Sequence, residues 1–557
     1  MKFNEFNYEH VTADQVREAM APVLQDLKEA DSGSDLLSAF KQYDAIKSSL
    51  YSNAEIASIR HSCDTSDSYW TAESTHYNNI LPELEEVFQQ ANELIVSSPY
   101  VDEIRGIIPE VWFAQAEMDR KAFSPEIIPL LQKENELADA YQDLIASAKI
   151  DFDGGLYSLA ELEKPMKSQD RDVRRAATLA YWNWFEQNEA RLGEIYDSLV
   201  HVRDEMAHTL GFSSYIPLGY LRMHRLDYDM NDVAGYRKQI LDSIVPVAND
   251  LYRKQAQRLG LSALTVYDEK VEYPQGDPVP VNDDLTSLAE QMYHELDPEV
   301  GAFFTMMKER ELLDLDARKN KAAGGYCTYI NNEQAPFIFA NSNGTEQDVE
   351  TLCHEAGHAF QAYSSRDKFP SDCIWPTYES AEIHSMSMEF FTWPWMEKFF
   401  GDRAEDYRHM HLAGAIKFLP YGALVDHFQH EVYAHPEWTP DERMNAWRTL
   451  EKQYLPHKDY SEVPFLERGG WWMRQLHIFM DPFYYIDYTL AQVAALQFFE
   501  RMVYDDEQAF DDYKAICRLG GTLPFRQIME TAHLQVPFEK GCLEKTARTV
   551  AEYFASK

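Results

Sequence analysis

The sequence predicts a mainly α-helical protein of more than one compact unit, carrying a small β-sheet. Three observations lead there: long stretches whose apolar residues recur every three or four positions, only a few short β-rich runs, and a length of 557 residues. That length exceeds what one hydrophobic core fills, about 250–300 residues. In the first half Leu81, Leu84, Val87, Phe88, Ala91, Leu94 and Ile95 form one helical stripe flanked by glutamate and glutamine, and residues 128–147 and 170–212 follow the same rule. Between them, IDFDGGLYSL (150–159) places alternating apolar residues around Asp-Gly-Gly, the pattern of a short β-hairpin. Residues 266–283 collect three prolines and a glycine, marking a long loop or a junction between units. GGYCTYI (324–330) and PFIFAN (336–341) read as two strands of a small sheet, after which helical patterns resume to the carboxyl end.

Fifty-one basic against 93 acidic residues leave a formal charge of −42, a field that repels phosphate backbones and anionic membrane surfaces. Nucleic acid and membrane are therefore excluded as expected partners, and the acidity serves solubility. Cys63, Cys327, Cys353, Cys373, Cys517 and Cys542 show no paired spacing, which argues against a disulfide framework or a thiolate metal site. The amino terminus has no apolar run, and the aromatic segment FFTWPWMEKFF is broken by Pro394, Glu397 and Lys398. The expectation is a cytoplasmic protein without secretion signal or membrane span.

HEAGH at 354–358 lies within a helical pattern that Thr345 can cap, with Val349, Leu352, Cys353, Ala356, Phe360 and Tyr363 as its apolar stripe. Positions four apart share a helix face, so His354 and His358 can both direct a ring nitrogen at one metal ion. Glu355, turned by about 100°, can instead reach a water in the metal's open position. This is the pattern of zinc peptidases, in which the glutamate takes a proton from the attacking water. A third ligand is needed. Gln361 and Ser364 stand where an extended motif would place its glycine and third histidine, so the donor must come from elsewhere. The helix-like segment 377–393 presents Glu379, Glu382, Met386 and Glu389 on one stripe, and Glu382, 24 residues after His358, is the expected ligand. Glu389 and Asp348 are candidates to orient the imidazoles, with solvated helix charges as the alternative; His384 reads as a packing residue; and Gly357 is open to two readings, a close approach of the glutamate-bearing helix or a neutral packing glycine.

DVETLCHEAGHAFQAY and AEIHSMSMEF together resemble the thimet oligopeptidase and oligoendopeptidase F family of zinc peptidases. HIFMDPFYYIDYTLAQV (477–493) is similar to that family's carboxyl-terminal histidine and tyrosine block, and weaker likeness runs through KAAGGYCTYI, HSCDTSDSYW and IDFDGGLYSLAEL. The resemblance implies one Zn2+ per chain held by His354, His358 and Glu382, Glu355 as general base on a zinc-bound water, and His477, Tyr485 and Tyr488 around the reacting carbonyl. Tyr485 and Tyr488 share a helical face and can donate to an oxyanion, although FYYIDY is also the composition of an aromatic core, and the residues leave both readings open. Gly324, Gly325 and Tyr326 are expected to bind substrate as an added strand at a sheet edge, with turn glycines as the alternative reading. The implied architecture is a two-lobed helical zincin-type metallopeptidase with the small sheet beside the active-site helix and a deep substrate channel. An amino-terminal lobe is expected over 1–200, and a catalytic region over 201–557 whose helices contribute to both lobes. The implied activity is endopeptidase action on short unfolded oligopeptides. The competing readings are a zinc carboxypeptidase on a related scaffold and a non-catalytic peptide-binding protein.

Overall fold

The computed structural model describes every residue except 283, 323 and 505. The chain forms two compact units, each assembled from three separate segments.

The first unit comprises Met1–Arg120, Val279–Ala404 and Ala494–Leu534. Its amino-terminal part packs the helices Ala13–Glu29, Gly33–Cys63 and Ser68–Val96 on one another. Each begins at a side-chain cap. Thr12 and Gln15 satisfy one another's backbone N–H groups in a capping box, and the Asp67 carboxylate accepts from Tyr69 and Trp70. The predicted stripe is the buried face of the third helix: Leu84, Phe88, Ala91 and Ile95 lie in the core with Leu36, Phe40 and Tyr43, while Leu81, Val87 and Leu94 pack at its margin. Ordinary helical spacing thus places the core.

A three-stranded sheet follows in the same unit. Strands β1 (Ile150–Phe152) and β2 (Gly155–Tyr157) form a hairpin in the second unit. Strands β3 (Leu313–Asp316), β4 (Tyr326–Ile330) and β5 (Ala335–Ser342) make the sheet, in the order β3-β5-β4. Strands β4 and β5 are antiparallel, with Tyr326 opposite Phe339 and Ile330 opposite Ala335, whereas β3 runs parallel to β5. The two predicted strands are present. Strand β3 has no counterpart in the sequence pattern, because four residues of Leu-Asp-Leu-Asp are too short to establish a period. Residues 335–340 of the central strand are all buried, and the helix Glu346–Ser364 packs against β5 and β4.

The second unit comprises Lys121–Pro278, Glu405–Val493 and Gln535–Lys557. It is built on the 39-residue helix Arg171–Thr209, packed against Ile128–Ala146. Residue 200 falls inside that long helix, so a single cut there does not describe the compact units; packing gathers segments far apart in sequence. Asp153 and Gly154 join β1 to β2 with φ of 46° and 75°, the two positive values of a type I′ hairpin turn. Between Arg258 and Leu285 the described residues contain no regular helix or strand, and the chain leaves the second unit at 278.

Deep in this unit Glu134 accepts from Arg203 Nε at 2.6 Å and from Arg222 Nη2 at 2.8 Å. Arg203 also donates to the Tyr433 hydroxyl and, at 2.6 Å, to the carbonyl of Phe479, anchoring the segment that carries His477. Burial alone would raise the Glu134 carboxyl, but Arg203 and Arg222 outweigh it and hold the group at about 2. No described helix of either unit is long and apolar enough to cross a membrane.

Candidate active site

The helix Glu346–Ser364 presents His354 and His358 one turn apart. Thr345 occupies the cap position but its side chain makes no capping bond. Asp348 takes over the local role: its carboxylate accepts from the backbone N–H of Asn343, at 3.0 and 3.1 Å, and of Gly344, at 2.7 Å. Asp348 therefore braces the loop from β5 into the helix and does not orient an imidazole.

The second helix, Tyr378–Phe391, lies against the first. Its approach is close enough that a Cβ at Gly357 would stand 2.6 Å from the carbonyl oxygen of His384 and 2.7 Å from Cα of Ser385. Glycine at this position is required by backbone contact. The approach brings Glu382 Oε2 to 3.2 Å from His354 Nε2 and 3.3 Å from His358 Nε2. Ser385 Oγ donates to the same carboxylate oxygen at 2.9 Å, and Glu389 Oε1 lies 2.6 Å from His354 Nδ1. The expected orienting contact of Glu389 is thus present, and Ser385 joins it. Spacing could have indicated Ser385, since it stands three residues after Glu382 on one helical face.

These three donors suit a zinc ion. Two imidazole nitrogens and a carboxylate oxygen converge with their ligand atoms within 4.8 Å of one another. Bonds of about 2.0–2.1 Å in tetrahedral array would set ligand atoms about 3.3 Å apart, and Glu382 Oε2 stands 3.2 and 3.3 Å from the two histidine nitrogens. The charge agrees with the geometry. Burial opposes ionisation of Glu382, yet His358 and His354 hold it well below the usual carboxylate range. Burial likewise opposes protonation of His354, but Glu382 and Glu389 push it well above the usual imidazole range. Two carboxylates gathered on these histidines make a site that favours a cation.

Glu355 is 7% exposed and makes no hydrogen bond among the described residues. Burial raises its carboxyl, with His354 and His358 opposing. It is a carboxylate placed beside the ligand set and unencumbered by another partner. His384, wholly buried, packs its ring against Cys517 and accepts at its backbone carbonyl from Tyr513. Burial drives its imidazole down to about 3, so it is a neutral packing residue.

Gly324 and Gly325 line a cavity of about 370 Å³ with Asn341, Ser342, Gln347 and Thr351, the last two from the helix that carries His354 and His358. Gly324 has φ of 94°, a conformation that glycine alone adopts readily. Tyr326 does not line this cavity; its ring stacks on Phe339 across the sheet.

His477, Tyr485 and Tyr488 lie in the second unit and come together there. The His477 ring centroid is 4.9 Å from that of Tyr485 and 5.8 Å from that of Tyr488. Within FYYIDY, Phe483, Ile486 and Asp487 are buried, whereas Tyr484, Tyr485 and Tyr488 are only half-buried. The tyrosines are therefore not a sealed aromatic core. Gln475 links this group to Tyr421: its amide oxygen accepts from the Tyr421 hydroxyl at 2.7 Å, and its amide nitrogen donates to His477 Nδ1 at 2.9 Å. That bond leaves the proton of a neutral His477 on Nε2, as an available donor. Nothing in residue spacing pointed to Gln475 or Tyr421.

A mainly helical chain with an HExxH helix apposed to a glutamate helix defines the class of the helical peptidases. The particular family follows from comparison. Residues 3–123 match the peptidase M3 N-terminal domain and residues 165–548 match peptidase family M3, so the chain belongs to peptidase family M3. An oligoendopeptidase F homolog of Borreliella burgdorferi is 23% identical over 381 residues, which cover 64% of this chain. The match spans 60% of that curated relative's length. The solved structure of Pz peptidase A with an inhibitor superposes with a TM-score of 0.93 at 44% identity, over 100% of this chain and 99% of the other. A structure described as an oligoendopeptidase F from Bacillus anthracis gives 0.89 at 40% identity, over 100% and 98%.

Proposed function

We propose that this protein is a zinc-dependent endopeptidase that hydrolyses internal bonds of short, unfolded oligopeptides. The observation that carries the reading is the convergence of His354, His358 and Glu382 beside the unpaired carboxylate of Glu355. Zinc held by those three residues would supply Lewis-acid chemistry, stabilising negative charge that develops on oxygen. Glu355 takes the proton from the attacking water as its oxygen bonds to the scissile carbonyl carbon. The same carboxyl then delivers that proton to the departing amine nitrogen as the C–N bond breaks. Glu389 and Ser385 fix the ligands: the first holds the ring of His354, the second one oxygen of Glu382. In this proposal one hydroxyl, of Tyr488 or of Tyr485, donates a hydrogen bond to the oxyanion, with His477 as the alternative donor; their common, half-buried grouping supports the reading. Gly324, Gly325 and Tyr326 belong to the stretch that takes the substrate backbone as an added strand.

Mass-spectrometric mapping of cleavage in two matched mixed peptide libraries, one blocked at both ends and one with free carboxyl termini, tests the reading. Internal cuts are expected. Removal of carboxyl-terminal residues alone, with no internal cut in either library, would instead show carboxypeptidase action.

A further inference from the structure

The second unit holds an arginine that its surroundings leave uncompensated. Arg474 lines a cavity of about 320 Å³ together with Lys270, Lys417 and Lys458. The three lysines are already paired: Lys270 with Glu163, Lys417 with Glu272 at 3.1 Å, and Lys458 with Glu269 at 2.5 Å. Arg474 has no carboxylate within ion-pair distance and no hydrogen bond among the described residues. Glu163, an acid that acts on it at longer range, is engaged by Lys270. Its guanidinium rests among rings, 5.6 Å from the centroids of Trp471 and Tyr181 and 5.9 Å from that of Trp182. In a chain of net charge −42, acidic partners for an arginine are plentiful. One held by aromatic faces with its donor fork unspent is preorganised to receive an anion from outside the chain.

The cavity is continuous with groups already described. Tyr421 and Tyr485 line it, and the residue after Arg474 is Gln475, which bonds to both Tyr421 and His477. We propose that this cavity is a subsite for a carboxylate of the peptide substrate, with Arg474 as its anchoring cation. The inference rests on the reading of the chain as a peptide hydrolase. A carboxylate is the anion that peptides carry, and its two oxygens match the guanidinium fork. Each lysine of the lining faces a carboxylate, which leaves Arg474 as the cation of the lining without one, and a single guanidinium suits a monoanion. Two sources offer this chemistry: the terminal carboxylate and an aspartate or glutamate side chain.

Calorimetric titration of the zinc-loaded Glu355→Gln protein, which would bind without turnover, separates them. Three matched short peptides are compared: neutral with an amidated terminus, the same with a free terminus, and amidated with one glutamine replaced by glutamate. One carboxylate-bearing peptide is expected to bind about tenfold to a hundredfold more tightly than its neutral match, and which one gains identifies the source. Adding Arg474→Met should collapse that ratio to within about twofold, and Arg474→Lys should retain part of it, because the charge persists without the fork. Equal affinity for all three peptides, or a preference that survives Arg474→Met, would overturn the proposal. The peptide comparison with Arg474 intact decides the matter even if Arg474→Met does not fold. Carboxylate preference in a protein whose unmutated form cuts no peptide would sink the peptidase reading and leave the subsite standing.

Discussion

Replacing Gly357 by alanine sets two calculable effects against each other. In an open helix the change would stabilise by about 1 kcal/mol, since glycine is the costlier helix residue. Here the added methyl meets backbone of the neighbouring helix, the His384 carbonyl oxygen at 2.6 Å and the Ser385 Cα at 2.7 Å. Neither atom can rotate away. Restoring ordinary contact requires the helices to part by about 0.8 Å, and overpacking of this kind costs about 1–3 kcal/mol. The net loss of stability is therefore modest, about 0–2 kcal/mol. The proposed metal site is less forgiving. Ser385 holds Glu382, whose oxygen stands 3.2 and 3.3 Å from the two histidine nitrogens, and metal ligation tolerates shifts of only about 0.2 Å. Gly357→Ala should thus lower zinc affinity by about tenfold or more while the fold persists. Competition against a chromophoric chelator reads the affinity, and thermal unfolding of the metal-stripped protein reads the stability. A variant as stable as its parent or more so, with undiminished zinc affinity, would refute the close-approach argument.

Further predictions follow from the same geometry. His354→Ala, His358→Ala and Glu382→Ala should each lose zinc by metal analysis, whereas Glu355→Gln should keep zinc and fold but lose nearly all hydrolysis; a Glu355→Gln protein that turns over normally would remove the general base. Tyr488→Phe and Tyr485→Phe test the oxyanion donors: loss of the responsible hydroxyl should lower kcat by about 10²–10³ with KM little changed, and Tyr488 is the first choice. Unchanged kcat in both would leave His477 as the donor. In the second unit, Glu134→Gln breaks a buried pair and should cost about 3–5 kcal/mol at neutral pH. Because the folded carboxyl titrates at about 2, below its unfolded value, its contribution is complete above about pH 4.5 and fades as pH falls toward 2. The stability gap between parent and variant should narrow over that window in acid denaturation curves, and a constant gap would contradict it.

The residues legible in the sequence are those governed by short-range geometry. A period of 3.6 puts His354 and His358 on one face, strings Leu84, Phe88, Ala91 and Ile95 into a core stripe, and aligns Glu382 with Glu389. Asp-Gly-Gly between alternating apolar residues specifies the hairpin at 150–157 through the positive φ its turn demands. Other features exist only because distant segments meet. Gly357 became a constraint when a backbone 27 residues later closed on it, and Asp348 turned from a candidate partner of an imidazole into a brace for its own loop. Strand β3 is held by parallel pairing to β5, which four residues cannot announce alone. The compact units cross the chain several times, because helices from separate stretches bury one another's apolar faces, and residue 200 lies within a single long helix. Gln475, Tyr421 and Arg474 carry no recognisable spacing. Their significance comes from which hydrogen bonds and charges their neighbours leave unpaired, a property of tertiary packing that a linear pattern does not contain.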